Sequence, residues 1–269
     1  MRATSASPLP GPVSRPSAFL LGLGFVTNFF DTLGIGSFAP TTAAFKARHL
    51  VPDELIPGTL NVGHTIPTVL EAAIFVTAIK VERPTLGLLV GASVVGAWIG
   101  AGVVTGWDRR KIQRGMALAL LVTATFIVLR MVRLFPGGGD ALGLGGALLA
   151  IAVVGNFTLG ALVTLGIGLY APCMAMVSLL GMNPTAAFPI MMGSAACVMP
   201  VASLRFLRAG KYDRTAALGL AIGGVPGVLL AAFVVRSLPL EAVRVLVVLV
   251  ITYTAARLWR DSRSGCRRG

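Results

Sequence analysis

Acidic residues are scarce in this chain: 10 Asp and Glu stand against 23 Lys and Arg in 269 residues, and charged residues of every kind make up only 12%. A soluble domain carries roughly 25%, so most of this surface does not face water. Histidine occurs twice and cysteine three times. Cys173, Cys197 and Cys266 show neither metal-site nor disulfide spacing. Cys173 and Cys197 lie inside apolar segments and read as small core residues. The chain has no HExxH helix, no GxxxxGK[ST] phosphate loop and no GxSxG elbow. These absences argue against an enzyme, and no cofactor or metal is expected.

What is present is apolar sequence. Hydrophobic residues reach 55% and the mean hydropathy is +0.85. Several runs are long enough to supply the ~20 residues that cross about 30 Å of hydrocarbon. They lack the alternation of a barrel strand, so they are helices whose backbone groups bond internally. The expected class is an all-α integral membrane protein in the lipid bilayer. The net charge of +13 sits in short loops between the runs, as the positive-inside rule requires, and nucleic acid is not an expected partner.

The chain is also duplicated. Thr32-Leu33-Gly34-Ile35-Gly36 recurs as Thr164-Leu165-Gly166-Ile167-Gly168, 132 positions on. The same offset pairs Ala39-Pro40 with Ala171-Pro172, Ala43 with Ala175, Pro52 with Pro184, Pro57 with Pro189 and Gly91 with Gly223. Residues 17–135 and 142–260 form the two expected repeats, flanked by a disordered tail over 1–16 and a basic tail over 261–269. A cleaved signal peptide is not expected, because its removal would destroy one copy of the motif.

The apolar segments run over 17–47, 56–79, 84–105, 113–135, 142–180, 184–207, 214–236 and 240–259. Segments 17–47 and 142–180 are too long for one helix, and each is interrupted by the TLGIG motif. Each predicts a glycine-broken hairpin or a discontinuous helix, followed by three transmembrane helices. The basic groups Arg109–Arg110–Lys111–Arg114, Arg205–Arg208–Lys211–Arg214 and Arg257 to Arg268 assign those loops to the cytoplasm. Loops near 80–83, 136–141, 181–183 and 237–241 then lie outside. Under the offset, loop 108–111 matches 240–243 and loop 80–83 matches 212–215, so the two copies are expected in opposite orientations. Inverted repeats with matched broken helices mark secondary transporters.

Two glycines one residue apart allow backbone that other residues resist. A helix is expected to restart near Ser37 and near Leu169, with Pro40 and Pro172 in its first turn. Two such N-termini aimed at a common midplane point would form an anion site. On the helix over 56–79, Asn61, His64, Thr65, Thr68 and Glu71 share one face. Their offset counterparts Gly193, Ala196, Cys197, Pro200 and Ser203 are mostly small, which predicts an asymmetric cavity lining. Asp31 and Glu71 are the only acids deep within apolar segments, Glu241 standing at the very start of one. A charge at that depth faces a cavity or a partner, and a carboxyl there suits reversible protonation. His64 titrates near neutral pH in its unperturbed form. Asp31 is placed ahead of Glu71 because it adjoins the break. Arg205, near a helix end, is expected to snorkel toward the cytoplasm.

These residues resemble the sulfite exporter (TauE/SafE) family of permeases, also called toluenesulfonate uptake permeases. The resemblance rests on the stretches Asn28 to Pro40, Pro57 to Thr65, Thr164 to Cys173 and Pro189 to Ser194, and spans residues 17–260. It implies transport of sulfite, a sulfonate or a related organosulfur anion across a bacterial inner membrane, with both termini cytoplasmic. The candidate substrate-contacting set is Asn28, Thr32, Gly34, Gly36, Ser37, Thr41, Asn61, His64, Thr65, Thr68, Thr164, Gly166, Gly168, Cys173, Gly193 and Ser194. Asp31, Glu71 and His64 are the proton-coupling candidates. An anion channel or a non-transporting assembly partner are the alternative readings, and a homo-oligomer stays open.

Overall fold

A computed structural model describes residues 15–132, 134, 138–166, 168–234 and 259 of the chain. The described residues are helical, without a strand. α1 covers Ala18–Thr32, α2 Phe38–Arg48, α3 Ile56–Ala78, α4 Arg83–Val104 and α5 Arg109–Met131. After a link near residue 140 come α6 (Gly146–Val163), α7 (Tyr170–Leu179), α8 (Ala187–Ala209) and α9 (Arg214–Val234). Short 3₁₀ turns, Asp53–Leu55 and Pro184–Ala186, lead into α3 and α8. Shifting α1 to α4 by 132 positions superposes their bounds on α6 to α9 to within a few residues. Segment 240–259, the loop at 237–241, the basic C-terminus with Cys266 and most of the 1–16 tail lie outside the described residues.

Among the described residues, four helices are long and apolar enough to cross a membrane: α4, α6, α8 with its leading turn, and α9. Large apolar side chains cover their outer faces, among them Leu88, Ile99, Ile151, Val154 and Ile222. In lipid such side chains are at home, and helices associate through close packing of small residues instead. Two pairs do this. Gly96 and Gly160 lie against the backbones of Phe157 and Ser93, which joins α4 to α6. Gly223 and Gly227 meet the backbones of Leu21 and Phe25, which joins α9 to α1. Gly100 meets Ala161 four residues beyond the Gly96–Phe157 contact, as Gly227 meets Phe25 four beyond Gly223–Leu21, so both pairs run parallel, and the offset converts one pair into the other.

α3 and α8 cross the middle and run antiparallel. Gly58 lies against Phe206 and Lys211, Thr65 bonds Ser203 at 3.0 Å, and Gly193 faces Val76. Each holds an internal proline, Pro67 and Pro200, a residue tolerated where neighbouring helices satisfy the freed backbone.

Both long anomalous segments fold back at their glycine motif. In the first, the Arg48 guanidinium at the end of α2 lies 4.0 Å over the Phe19 ring at the start of α1. In the second, Gly155 of α6 touches Met176 of α7. The arrangement is a hairpin in each copy.

The loops gather at two ends. At one, Asp213 N–H donates to Thr59 Oγ1 at 2.8 Å, and Gln113 and Arg109 reach Asp53. Lys46, Arg48, Lys111, Arg208 and Lys211 belong to this end. At the other, Glu82 N–H donates to Leu142 O, Gly139 N–H to Met182 O and Asn183 N–H to Ala141 O. The first hairpin opens toward the basic end and the second toward the opposite end, so their tips meet between.

Candidate functional site

Each tip is built by its glycines. Gly34 and Gly166, equivalent under the offset, adopt φ of +77° and +92°, a region an L side chain rarely enters. Gly36 also has positive φ, at +95°. Ser37 and Leu169 precede the first helical residues of α2 and α7, as expected from the sequence, and Pro40 and Pro172 fall in the first turns.

The two N-termini line one buried cavity of about 30 Å³, room for one or two waters. Asp31, Gly36, Ser37 and Phe38 come from the first hairpin, Val163, Gly168, Leu169 and Tyr170 from the second, and Ala195 and Met199 from α8. Neither α2 nor α7 begins with a side-chain cap bond from its N-cap residue, and the positive ends of both adjoin this space. The start of α2 is different: Asp31 Oδ1 accepts from Ser37 N–H and Oδ2 from Ser37 Oγ–H, both at 2.9 Å. One helix end thus already holds an anion belonging to the protein.

A chain of polar contacts leads away from that carboxylate. Thr41 Oγ1 lies 2.8 Å from Ser37 O and 3.1 Å from His64 Nε2. His64 Nδ1 stands 3.0 Å from Asn28 Oδ1. Because Asn28 Nδ2 donates to Gly24 O at 2.7 Å, its Oδ1 faces His64 as acceptor, and Nδ1 carries the hydrogen. Phe38 packs beside the imidazole, ring centroids 5.8 Å apart. Asn28, Thr41 and His64 are each fully buried, and the single Thr41 hydroxyl hydrogen serves either Ser37 O or His64 Nε2, which then acts as acceptor.

Glu71 also belongs to this region. Tyr170 Oη–H donates to Glu71 Oε2 at 3.0 Å, a contact from the second hairpin to α3. Glu71 Oε1, Thr68 Oγ1 and Asn61 Oδ1 are buried without a partner among the described residues.

The remaining sequence candidates are scattered. Thr32 and Thr164 turn their hydroxyls back to Asn28 O and Ala161 O. Asn61 Nδ2 bonds Pro57 O within its own helix. Gly34 and Gly166 approach only Phe188 and Leu60; they shape the tips rather than line the cavity. Thr65 is engaged with Ser203. Cys173 is buried in α7, while Cys197 is exposed on α8 rather than in the core. Gly193 faces Val76, Val90 and Leu86. Ser194 Oγ accepts from Asn156 Nδ2 at 2.9 Å, in a contact between α6 and α8. Arg205 does not simply point to the basic end: its guanidinium lies flat over Trp98 at 3.7 Å.

Sequence reasoning did not single out Tyr170. The signal was available, since the offset pairs it with Phe38: an aromatic residue follows each break by two positions. It also missed a buried charge cluster at the basic end. Lys46 Nζ donates to Asp53 Oδ1 at 2.7 Å and Gln113 Nε2 to Oδ2 at 2.6 Å, with Arg109 3.4 Å from Oδ2. Burial pushes the Asp53 carboxyl up, but the bonds from Lys46 and Gln113 and the charges of Lys46 and Arg109 prevail and hold it below the usual carboxylate range.

Comparisons with protein families, with curated proteins and with solved structures each return no match.

Proposed function

We propose that the chain is a secondary transporter for a small anion, working by alternating access between two inverted repeats. The observation that carries this reading is the meeting of two opposed hairpin tips, with the N-termini of α2 and α7, at a single buried cavity. Antiparallel α3 and α8, exchanged by the offset, support the inversion. The concentration of Lys and Arg at one end supports its placement in the cytoplasm of a bacterial inner membrane. The resemblance to sulfite exporter permeases adds the substrate class: sulfite, a sulfonate or a related organosulfur anion.

The anion seats at the uncapped N-terminus of α7, whose dipole and amide groups favour negative charge. Asp31 already fills the corresponding place at α2. A cavity of about 30 Å³ is too small for such an anion, so the hairpin tips part to admit it, first toward one end and then toward the other. Coupling to protons completes the reading.

Thermal unfolding of the purified protein against sulfite, sulfate, thiosulfate, sulfonates and carboxylates tests substrate class. Stabilisation by a sulfur oxyanion and not by carboxylates is expected; equal indifference to all removes the ligand site. Cysteines introduced at Arg110 and Asp140 test orientation. Impermeant reagent added outside cells is expected to reach 140 and spare 110.

A further inference from the structure

Two buried carboxyls stand beside the cavity in unlike surroundings. Asp31 accepts a donor on each oxygen, both from Ser37. Hydrogen bonds to the charged form favour it, and here they also close the turn from α1 to α2. A proton on Oδ2 would turn the Ser37 hydroxyl from donor to acceptor and weaken the bond that Oδ1 accepts from Ser37 N–H, which loosens the break. Glu71 is equally buried, with 0% exposure, yet only Oε2 is bonded, by Tyr170. Its Oε1 has no partner among the described residues. An ionised Glu71 would leave a bare anionic oxygen in apolar surroundings, within electrostatic reach of Asp31. A proton on Oε1 removes both costs. Thr68 Oγ1, three residues earlier on the same helix, is also unpartnered and makes no bond to Oε1.

Among the described residues, neighbouring elements supply no compensating cation. α8 and α9 carry only Cys197, Arg205, Arg208 and Arg214 as ionisable side chains, and Arg205 is stacked on Trp98. α1 and α2 bring Asp31, Lys46 and Arg48; Lys46 is bound to Asp53 and Arg48 lies over Phe19. The 3₁₀ turn before α3 brings Asp53 and Glu54, at the basic end. α7 contributes Cys173 besides Tyr170, and His64, two turns earlier on α3, is held between Asn28 and Thr41.

We infer that the exchangeable proton of this transporter resides on Glu71, that Asp31 is a fixed structural anion, and that Tyr170 links the proton to the cavity. This inference rests on the transport reading above and reverses the order of the two acids expected from sequence. Tyr170 is the first residue of α7 and lines the cavity, while its hydroxyl reaches Glu71. An anion arriving at the α7 N-terminus displaces that residue and alters the hydrogen bond to Glu71. By reciprocity, the proton on Glu71 alters affinity for the anion. The only bond made or broken is O–H: the proton passes between Glu71 Oε1 and water on whichever side the cavity opens.

Infrared spectroscopy of the full-length protein in lipid vesicles reads the C=O stretch of a neutral carboxylic acid without any substrate. At neutral pH the wild type is expected to show this band, Glu71→Gln to lose it, Asp31→Asn to keep it, and Tyr170→Phe to shift it. In the same vesicles, sulfite counterflow should persist in Glu71→Gln, while sulfite accumulation driven by a pH gradient falls to its level without a gradient. A band that survives Glu71→Gln, or disappears in Asp31→Asn, overturns the assignment. So does a wild-type protein with no band at neutral pH that sodium ions stabilise through Glu71, since a cation would then occupy the site. Should Glu71→Gln fail to fold, Tyr170→Phe decides, because an unshifted band places the proton elsewhere. If the wild type moves no sulfite yet the band behaves as expected, the protonated Glu71 stands and the substrate reading falls.

Discussion

The two hairpins share a frame and differ in almost every polar residue. Gly34 and Gly166, Pro40 and Pro172, and the restart at Ser37 and Leu169 give both the same shape. Yet Asn28 faces Gly160 across the offset, Asp31 faces Val163, Ser37 faces Leu169, Thr41 faces Cys173 and His64 faces Ala196. The first copy supplies the chain of hydrogen bonds, and the second supplies an uncapped helix end and Tyr170. The bases differ too. The first hairpin ends in the Lys46–Asp53 ion pair, the second in a neutral turn where Asn183 Oδ1 accepts from Thr185 N–H and Oγ–H. Glycine and proline positions are thus what the shape needs, while the chemistry is free to settle in one copy.

That contrast can be broken at the hairpin bases, where the largest effect is expected. Asp53→Ala strips a buried cation of its partner and should cost about 3–5 kcal/mol, whereas Thr185→Ala at the matched position should cost about 1 kcal/mol. Thermal unfolding in detergent measures both. The Asp53 carboxyl is held below its ordinary range when folded. Its contribution is therefore complete above the unfolded carboxylate range and lost as pH falls toward the folded value. An acid titration of unfolding temperature should show that loss in the wild type and not in Asp53→Ala.

Next in size is a pair that the offset treats as equivalent. Gly223→Ala would drive a Cβ into the Leu21 carbonyl, while Gly91→Ala meets no neighbour. Destabilisation of about 1–3 kcal/mol is expected for the first and none for the second. A similar drop in both would show that space around α4 and α9 is shared more evenly than the contacts imply.

Smaller and symmetric is the effect at the tips. Gly34→Ala and Gly166→Ala each place a side chain at positive φ, costing about 1–2 kcal/mol, with ordinary contacts around them. The two variants should unfold at matching temperatures. A large gap between them would mean that one copy dominates the shape as well as the chemistry.

Smallest is the difference between two cysteines. Cys173 is buried and Cys197 exposed on α8, so a membrane-permeant thiol reagent should modify Cys197 and not Cys173, with little change in stability. Mass spectrometry of the labelled protein distinguishes the sites.

The helices, the glycine breaks and the near-repeat of element bounds were legible because each leaves a local trace: an apolar run, a TLGIG motif, a proline in a first turn. The grouping of Asp31, Ser37 and Gly36 with Gly168 was legible for the same reason, since the breaks themselves carry it. The partners of remote side chains were not. Nothing near Lys46 in sequence says that Gln113 of α5 will share Asp53, and nothing near Glu71 names Tyr170 of α7. The stripe on α3 was read as one lining, but none of it lines the cavity: His64 connects through Thr41 and Glu71 through Tyr170. Thr65 turns to Ser203, and Gly193 and Ser194 serve contacts of α8 with α4 and α6. Helical periodicity gives a face; it does not say which neighbour that face meets.

The parallel pairing of α1 with α9 has a consequence for how the chain is made. Of the described helices, α1 leaves the ribosome first and its glycine-matched partner α9 last. Until α9 arrives, the surface around Leu21 and Phe25 has no glycine seat to close against. α6 is spared that wait, because α4 is already in place when it emerges. Synthesis therefore completes the second hairpin's outer arm before the first's, although the first is translated earlier. A chain stopped short of α9 would hold α1 only through its contacts with α2 and α3, and its hairpin would be the part that quality-control proteases meet.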